Sequence, residues 1–372
     1  MTIRPGRPAT ALLALLSFAG ALPGERWHLQ YFYDENKTGL TINDLKFASA
    51  QRGVAIGFIG EGKKTRPTAV VTSDGGAHWT LVPTREMGVS LYFLNEGLGW
   101  MVSAPRGLWQ TTEAGRNWKK LPDPPKGLAR VWFLDEKHGF GVGSNKLVVE
   151  TQDGGLHWKP LATAAEPKTT PEYTFYTWIS FTGQNGVITG FSRPPKQGGQ
   201  KFPDWLEPDE AVSRAERPHL NITLKTADAG ANWIPDTASM FGRISRFRIG
   251  GNGIALALTE FAASFPFPAE VFSINGRTGQ ADRVYREKDR AINDAWIAPS
   301  GTAYLTGVEV PGRLRTVVVP GKLKIVTSSD LKRWTEMPVD YRAVATRAMM
   351  SLVDDQNIWV ATDTGMILKL VP

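Results

Sequence analysis

Short apolar runs separated by glycines and other turn-forming residues recur along the chain, and each run predicts a β-strand. The runs are rich in β-branched and aromatic residues, which favour pleated, half-buried strands. They occur in pairs, and the second run of each pair begins at a glycine. The pairs are Leu45–Phe47 with Gly53–Gly57, Leu91–Phe93 with Gly99–Val102, Val131–Phe133 with Gly139–Gly143, and Ile179–Phe181 with Gly186–Gly190. The pattern predicts an all-β protein built from similar units.

An eight-residue motif, Thr-x-Asp-x-Gly-x-x-Trp, follows each of these pairs. Its Asp can accept hydrogen bonds from backbone N–H groups a few residues on, and its glycine permits a positive φ, so the motif predicts a tight turn between a third and a fourth strand. The tryptophan begins the fourth strand and buries a large apolar surface over the turn. The motif positions are Asp74, Gly76 and Trp79; Glu113, Gly115 and Trp118; Asp153, Gly155 and Trp158; and Asp228, Gly230 and Trp233.

The spacing of the motifs indicates a β-propeller. Trp79 and Trp118 are 39 residues apart, and Trp118 and Trp158 are 40 apart. Four strands in about 40 residues is the repeat of a propeller blade. Two copies depart from the pattern: Glu113 is one methylene too long for the turn, which predicts a looser copy, and the degraded copy that ends at Trp334 lacks the glycine.

The innermost strands give a count of seven blades, and the chain ends complete the last one. The fifth blade has strands but no motif, and the seventh stops one strand short, at Met366–Leu370. The segment Arg26–Phe32 supplies a strand where one should follow a motif, so the two ends share a blade and remove the open sheet edge. Two packed β-sandwiches are the alternative architecture. The innermost strands begin near Leu45, Leu91, Val131, Ile179, Phe247, Ala295 and Met350.

The repeat resembles known propeller families. The motif is similar to the Asp-box, or BNR repeat, of sialidases, sortilin-type receptors and xyloglucan-cleaving glycosidases. A longer stretch of sequence in two blades resembles the photosystem II assembly and stability factors. The stretches are Phe93–Trp100 and Phe133–Gly143, each with the strand and motif that follow it. That resemblance implies a seven-bladed propeller in the thylakoid lumen or periplasm that acts in photosynthesis as an assembly factor. It covers the first four blades best.

The N-terminal residues predict export. Arg4 and Arg7 precede the apolar run Ala11–Phe18 and the small-x-small site Ala19–Ala21, which is the three-part form of a secretory signal peptide. The run is too short for a comfortable membrane span. Residues 1–21 are therefore predicted to be a signal peptide and 22–372 a single propeller, monomeric, periplasmic or secreted, with an insertion at about 193–218.

Charge and composition narrow the possible partners and sites. The net charge of +7 becomes +5 without the signal peptide (41 Lys+Arg minus 36 Asp+Glu), which favours anionic partners, and export argues against nucleic acid. The chain has no cysteine, which excludes disulfides, iron–sulfur clusters and thiolate zinc sites. Its five histidines show no metal-ligand spacing, and no phosphate-binding glycine loop is present. We expect neither a metal nor a cofactor.

The candidate binding surface is the face that carries long loops. Loops between second and third strands lengthen at 60–67, 193–218, 262–268 and 310–321, which suggests a binding face, although surface insertions are also simply tolerated. Alignment of the blades predicts equivalent positions at the starts of the innermost strands, around the rim of the channel mouth on that face, for Asp44, Ser90, Arg130, Trp178, Arg246, Asp294 and Met349. There they could grip a charged chain or sugar, or pair with one another. The candidate partner-binding residues are Arg130, Arg246, Trp178, Arg313, Arg315, Lys63, Lys64 and Arg66.

We predict a non-catalytic binding or assembly factor for a protein partner in the envelope, in family terms at a membrane-protein complex. A glycoside hydrolase remains an alternative, with the carboxylates Asp44 and Asp294 as its candidates. Both follow Ile-Asn, and such a repeated tripeptide is also typical of turn chemistry. A sialidase would need an Arg-Ile-Pro run that the chain lacks. A carbohydrate-binding propeller that retains an anionic glycan is the third possibility.

Overall fold

The computed structural model describes residues 26–35, 38–61, 64–193, 218–262, 265–310, 319–340 and 342–371. Seven antiparallel sheets of four main strands follow one another along the chain, and each innermost strand contacts the innermost strands of the neighbouring blades. The predicted all-β, seven-bladed propeller is confirmed. The predicted signal peptide, and most of the insertion at about 193–218, lie outside the described residues. No helix within the described ranges is long and apolar enough to cross a membrane.

In blades 1 to 6 the strands run from the channel outward in chain order, and in blade 7 the first strand of the chain is the outermost. Blade 1 is Thr38–Phe47, Gly53–Glu61, Lys64–Thr72 and Thr80–Pro83; blade 2 is Met87–Phe93, Gly99–Ala104, Gly107–Thr111 and Lys119–Lys120; blade 3 is Leu128–Phe133, Gly139–Gly143, Val148–Thr151 and Lys159–Pro160; blade 4 is Thr174–Thr182, Asn185–Ser192, His219–Thr226 and Ile234–Met240. Blade 5 is Arg243–Ile249, Ile254–Glu260, Ala269–Asn275 and Ala281–Arg286; blade 6 is Arg290–Ile297, Ala303–Glu309, Gly321–Ser328 and Thr335–Glu336; blade 7 is Ala348–Leu352, Ile358–Thr362, Met366–Val371 and Arg26–Phe32.

Four short elements complete the set. The strand Asp34–Glu35 pairs with the start of blade 1, and Val344–Ala345 pairs with the third strand of blade 6. Two 3-10 helices, Ala162–Ala165 and Pro171–Tyr173, connect blades 3 and 4.

The ring closes where the two ends of the chain meet, as predicted. Arg26–Phe32 pairs antiparallel with Met366–Val371, with Trp27 opposite Leu370 and Leu29 opposite Leu368. Trp27 is 4% exposed and packs in the core cluster between blades 6 and 7. Pairing the ends in one blade satisfies backbone groups that two separate edges would leave open.

The complete motif turns share one hydrogen-bond pattern. In blade 1 the Thr72 hydroxyl donates to Asp74 and accepts from the Gly76 N–H, and Asp74 accepts from the His78 N–H, at 2.9 Å each. Blades 3 and 4 repeat these bonds at 2.7–3.0 Å. Hydrogen bonds from His78 and from the Thr72 hydroxyl hold the pKa of Asp74 below its usual range. The Asp carboxylate therefore holds each of these turns closed by accepting hydrogen bonds from the Thr hydroxyl and from the N–H four residues on.

The two irregular copies depart from this pattern of hydrogen bonds. In blade 2 the Glu113 carboxylate accepts a hydrogen bond from the Asn117 side chain at 2.7 Å. The Thr111 hydroxyl accepts hydrogen bonds from the N–H groups of Glu113 and Gly115. In blade 6, Asp330 accepts from the N–H of Arg333, three residues on rather than four. Leu331 takes a positive φ of 58° there, so this turn is one residue shorter and the missing glycine is a deletion.

The core lies between adjacent blades and is rich in stacked aromatic rings. Phe47 of blade 1 stacks on Trp359 of blade 7 at 3.5 Å between ring centroids, and Phe133 of blade 3 stacks on Trp100 of blade 2 at 3.6 Å. The motif tryptophans cover these stacks edge-on, as Trp79 does to Phe47 at 5.8 Å. Large flat rings thus pack blade 7 against blade 1 and blade 2 against blade 3.

The prediction of a long loop in blade 1 is wrong. The segment 60–67 was expected to be a long loop of blade 1, but both flanking strands extend into it, so that only residues 62 and 63 separate Glu61 from Lys64. Lys64 and Arg66 consequently lie in the third strand of the blade. Antiparallel pairing of the second and third strands runs continuously from Gly53 with Thr72 to Glu61 with Lys64.

Candidate functional site

The equivalent channel positions each follow a β-bulge in six of the seven innermost strands. The register with the second strand shifts by one residue immediately before these positions, and such a bulge re-aims the side chain that follows it. They lie within the strands, rather than at the strand starts where the sequence placed them, and Asp44 and Asp294 are buried. The shifts precede Asp44, Ser90, Arg130, Trp178, Arg246 and Asp294.

The first Ile-Asn-Asp tripeptide joins blade 1 to blade 2. Asp44 accepts hydrogen bonds from the N–H of Leu45 at 3.0 Å and from the N–H of Leu91, on the next innermost strand, at 2.8 Å. Asn43 donates to the Gly88 carbonyl at 2.8 Å. The tripeptide lies inside a strand, not at a turn as expected, and it links two blades.

The second tripeptide repeats this arrangement between blades 6 and 7. Asp294 accepts from the N–H of Ala295 at 3.0 Å and from the N–H of Met350 at 3.1 Å, while Asn293 accepts from the N–H of Ala348 at 3.0 Å. Both glycosidase candidates therefore direct carboxylate oxygens at the main chain of two adjacent blades. These links between blades explain structurally why the Ile-Asn-Asp tripeptide occurs twice.

Four cations surround the two carboxylates. Arg130 Nη1 lies 3.8 Å from Asp44 and Lys46 Nζ lies 3.9 Å from it. Arg248 Nη2 lies 3.0 Å from Asp294, and Arg246 Nε lies 3.8 Å from it. These groups come from blades 1, 3, 5 and 6, so the ring of blades assembles one mixed-charge cluster in the channel. We call Lys46, Arg130, Arg246, Arg248, Asp44 and Asp294, with Trp178 and Trp296, the channel cluster.

Two tryptophans hold the cations of the channel cluster in place. The guanidinium carbons of Arg130, Arg246 and Arg248 lie 4.4, 4.6 and 4.8 Å from the Trp178 ring centroid, within the range of cation–π attraction. Trp178 is fixed by its indole N–H, which donates to the Phe247 carbonyl at 2.7 Å. The guanidinium carbon of Arg248 lies 3.5 Å from the Trp296 ring centroid, and Nζ of Lys46 lies 5.9 Å from it. The aromatic rings keep the positive groups together despite their mutual repulsion.

The pKa values reflect burial opposed by close ion pairs. Burial alone raises the pKa of Asp294, but Arg248 and Arg246 overcome it and hold that pKa at about 2. Burial likewise raises the pKa of Asp44, and Lys46 and Arg130 reverse the direction. Burial lowers the pKa of Arg246 to about 10. At neutral pH the cluster therefore contains four cations and two anions, a net charge of +2.

The structure brings together three of the predicted partner-binding residues, Arg130, Trp178 and Arg246, with both predicted carboxylates. Lys64 and Arg66 lie elsewhere, on the third strand of blade 1. Lys63, Arg313 and Arg315 lie outside the described residues. Ser90 and Met349 occupy their equivalent positions as buried, uncharged residues.

Sequence reasoning missed Lys46, Arg248 and Trp296. Each stands two residues after an aligned channel position, namely Asp44, Arg246 and Asp294. Residues two apart on a strand point to the same side. Extending the blade alignment by two residues would have found all three.

Comparison with known proteins identifies similar molecules. Residues 123–195 match the family model described as photosynthesis system II assembly factor YCF48. The structure titled YCF48 bound to D1 peptide is 14% identical, with 95% of this chain and 98% of that chain covered and a TM-score of 0.60. YCF48 from Cyanidioschyzon merolae is 16% identical, with 93% and 99% covered and a TM-score of 0.61.

A glycoside hydrolase shares the fold as well. The GH74 xyloglucanase from Xanthomonas campestris is 12% identical, with 92% of this chain and 53% of that chain covered and a TM-score of 0.61. No curated protein matches the sequence. The chain thus resembles YCF48 in sequence over part of its length, and at these identities the structural likenesses establish the propeller fold.

Proposed function

We propose that this protein is an exported, non-catalytic assembly factor that binds an acidic segment of a partner protein at the channel cluster. The observation that carries the proposal is the convergence of Arg130, Arg246 and Arg248 on one indole ring, beside the carboxylates of Asp44 and Asp294. The similar YCF48 structure with a bound D1 peptide supports a protein ligand. The partner by this likeness is a subunit of a membrane-protein complex of the photosystem II kind.

The chemistry of the cluster favours carboxylates as the recognised groups. Guanidinium groups pair with carboxylates through two parallel hydrogen bonds, and such charge-assisted bonds are stronger than neutral ones. Asp44 and Asp294 already accept main-chain hydrogen bonds, and the Nε atoms of Arg246 and Arg248 have no hydrogen-bond partner among the residues that the structure describes. Donors are therefore in excess. An acidic ligand supplies the missing acceptors and offsets the net positive charge.

A peptide-binding measurement tests the proposal. The probe is a fluorescent pentaglutamate peptide, and the variants are Arg130→Gln and Arg248→Gln. Loss of one charge-assisted hydrogen bond of about 1.5–3 kcal/mol should weaken binding by roughly 10- to 100-fold. Fluorescence anisotropy at low and moderate salt measures the affinity, which should fall as salt rises.

The control is Arg277→Gln, an exposed arginine in the outer hairpin of blade 5. It should bind as the wild type does, and all variants should keep the wild-type thermal midpoint within a few degrees. Equal peptide affinity for wild type and both channel variants would contradict the proposal. Displacement of the peptide by a neutral oligosaccharide would instead favour a carbohydrate-binding propeller, and release of reducing ends from a polysaccharide would favour the hydrolase.

A further inference from the structure

Lys46 occupies a central position in the channel cluster. It stands two residues after Asp44 on the innermost strand of blade 1, and its side chain is 19% exposed. Its ammonium group lies 3.9 Å from Asp44 and 5.9 Å from the Trp296 ring centroid. It is the one lysine among the cations of the cluster, and a lysine loses its charge when buried far more readily than an arginine does.

Each blade has a residue at the equivalent position of its innermost strand, and Lys46 differs from all seven in its chemistry. Blade 2 contributes Ser90, blade 4 Trp178 and blade 7 Met349, which carry no charge. Arg347, exposed just before the innermost strand of blade 7, acts electrostatically on Asp44, Arg130 and Arg246. The charged groups are Asp44 of blade 1, Arg130 of blade 3, Arg246 and Arg248 of blade 5, and Asp294 of blade 6.

We propose that Lys46 is a proton switch that regulates binding of the acidic partner at the channel cluster. Protonated Lys46 gives the cluster its net charge of +2, and deprotonation reduces that charge to +1. The inference rests on the proposed function, because it concerns the strength of binding at that same site. Its consequence is a partner affinity that falls as the surroundings become alkaline.

The electrostatics place this switch in an accessible pH range. Burial lowers the pKa of Lys46 to about 8, Arg248 and Arg130 act in the same direction, and Asp44 opposes them. The carboxylates are fully ionised at this pH, and the arginines remain protonated. A bound carboxylate would raise the pKa of Lys46 again, so binding takes up a proton between about pH 7.5 and 9.

The experiment measures pentaglutamate affinity from pH 7 to pH 9, below the pKa of about 10 of Arg246, for the wild type, Lys46→Arg and Lys46→Gln. Glutamate carboxylates do not titrate in this range. One unit charge within about 10 Å at an effective dielectric of about 20 changes affinity by roughly tenfold. Wild-type affinity should therefore fall about tenfold, Lys46→Arg should keep the high value throughout, and Lys46→Gln should show the low value throughout.

A matched control and a direct titration separate the possible failures. Lys369 also lies over a tryptophan ring, that of Trp359 at 4.8 Å, but on the third strand of blade 7, and Lys369→Gln should reproduce the wild-type pH profile. NMR of lysine Cε, assigned with Lys46→Arg, follows the Lys46 proton with and without peptide. Arginine-dependent binding with identical pH profiles for wild type and Lys46→Arg would overturn the switch and leave the proposed function standing. Absence of binding in every protein would overturn both.

Discussion

The motif glycines show how a single residue sets the geometry of a turn. Gly230 has a φ of +90°, and its α-carbon faces the Phe140 ring, which belongs to the core between blades 3 and 4. A residue with a β-carbon would take a disfavoured backbone conformation at this position. Its β-carbon would also collide with the Phe140 ring, which is packed in the core. The sequence motif therefore encodes two constraints at once, a left-handed backbone and a close approach between neighbouring blades.

We predict that Gly230→Ala lowers the free energy of unfolding by about 2–4 kcal/mol, because backbone strain and overpacking add. Gly279→Ala is the matched control: Gly279 has a φ of +73°, but an added β-carbon would meet nothing within 4 Å. That variant should cost about 1 kcal/mol from strain alone. Urea unfolding of both variants measures the difference, and equal losses would show that Phe140 tolerates the methyl group.

At the scale of the element, the strands were predictable and the bulges were not. Apolar alternation and glycine punctuation identify the strands of blade 5 even though it lacks the motif, at Ala269–Asn275 and Ala281–Arg286. A β-bulge adds one residue to a strand without a characteristic turn residue, so no signal marks it. The depth of Asp44 in the channel and its bond to Leu91 follow from that shift, which explains why the sequence placed it at a rim.

The N-terminal strand allows a test of ring closure. We predict that Trp27→Ala lowers the free energy of unfolding by about 3–5 kcal/mol, because a large buried side chain is lost from the cluster between blades 6 and 7. Phe32→Ala, on the same strand but 47% exposed, should change stability by less than about 1 kcal/mol. Chemical denaturation followed by far-ultraviolet circular dichroism, which does not depend on tryptophan fluorescence, measures both changes in the free energy of unfolding. A small effect of Trp27→Ala would mean that closure contributes little to the stability of the ring.

At the scale of the whole molecule, the candidate site exists only because the ring is closed. Arg130 and Asp44 are 86 positions apart in the sequence, and Lys46 and Trp296 are 250 apart, yet each pair meets in the channel. The repeat alignment could predict that such positions are equivalent. It could not predict which side chains touch, because contacts across the channel depend on the twist and bulge of every blade. The sequence-only prediction therefore contained Arg130, Trp178 and Arg246 without their common contact.

Asp294 links blade 6 to the closing blade 7, and Asp44 links blade 1 to blade 2, so their charge should contribute to the stability of the ring. We predict that Asp294→Asn lowers the free energy of unfolding by about 2–4 kcal/mol at pH 7, since it leaves Arg246 and Arg248 without their carboxylate. The folded pKa of Asp294, about 2, lies below its ordinary value of 3.8. This stabilisation is complete above about pH 4 and is lost as the pH falls through about 2.

The pH dependence distinguishes a charge effect from a packing effect. The difference in urea midpoint between wild type and Asp294→Asn should shrink by about half at pH 3, where the unfolded chain already binds the proton. Asp236→Asn, which removes an exposed carboxylate 3.6 Å from Lys225, should change stability by less than about 1 kcal/mol at either pH. If the Asp294→Asn difference were the same at pH 7 and pH 3, the hydrogen bonds to Ala295 and Met350 alone would account for the link. The cations would then be free to serve the ligand without holding the ring together.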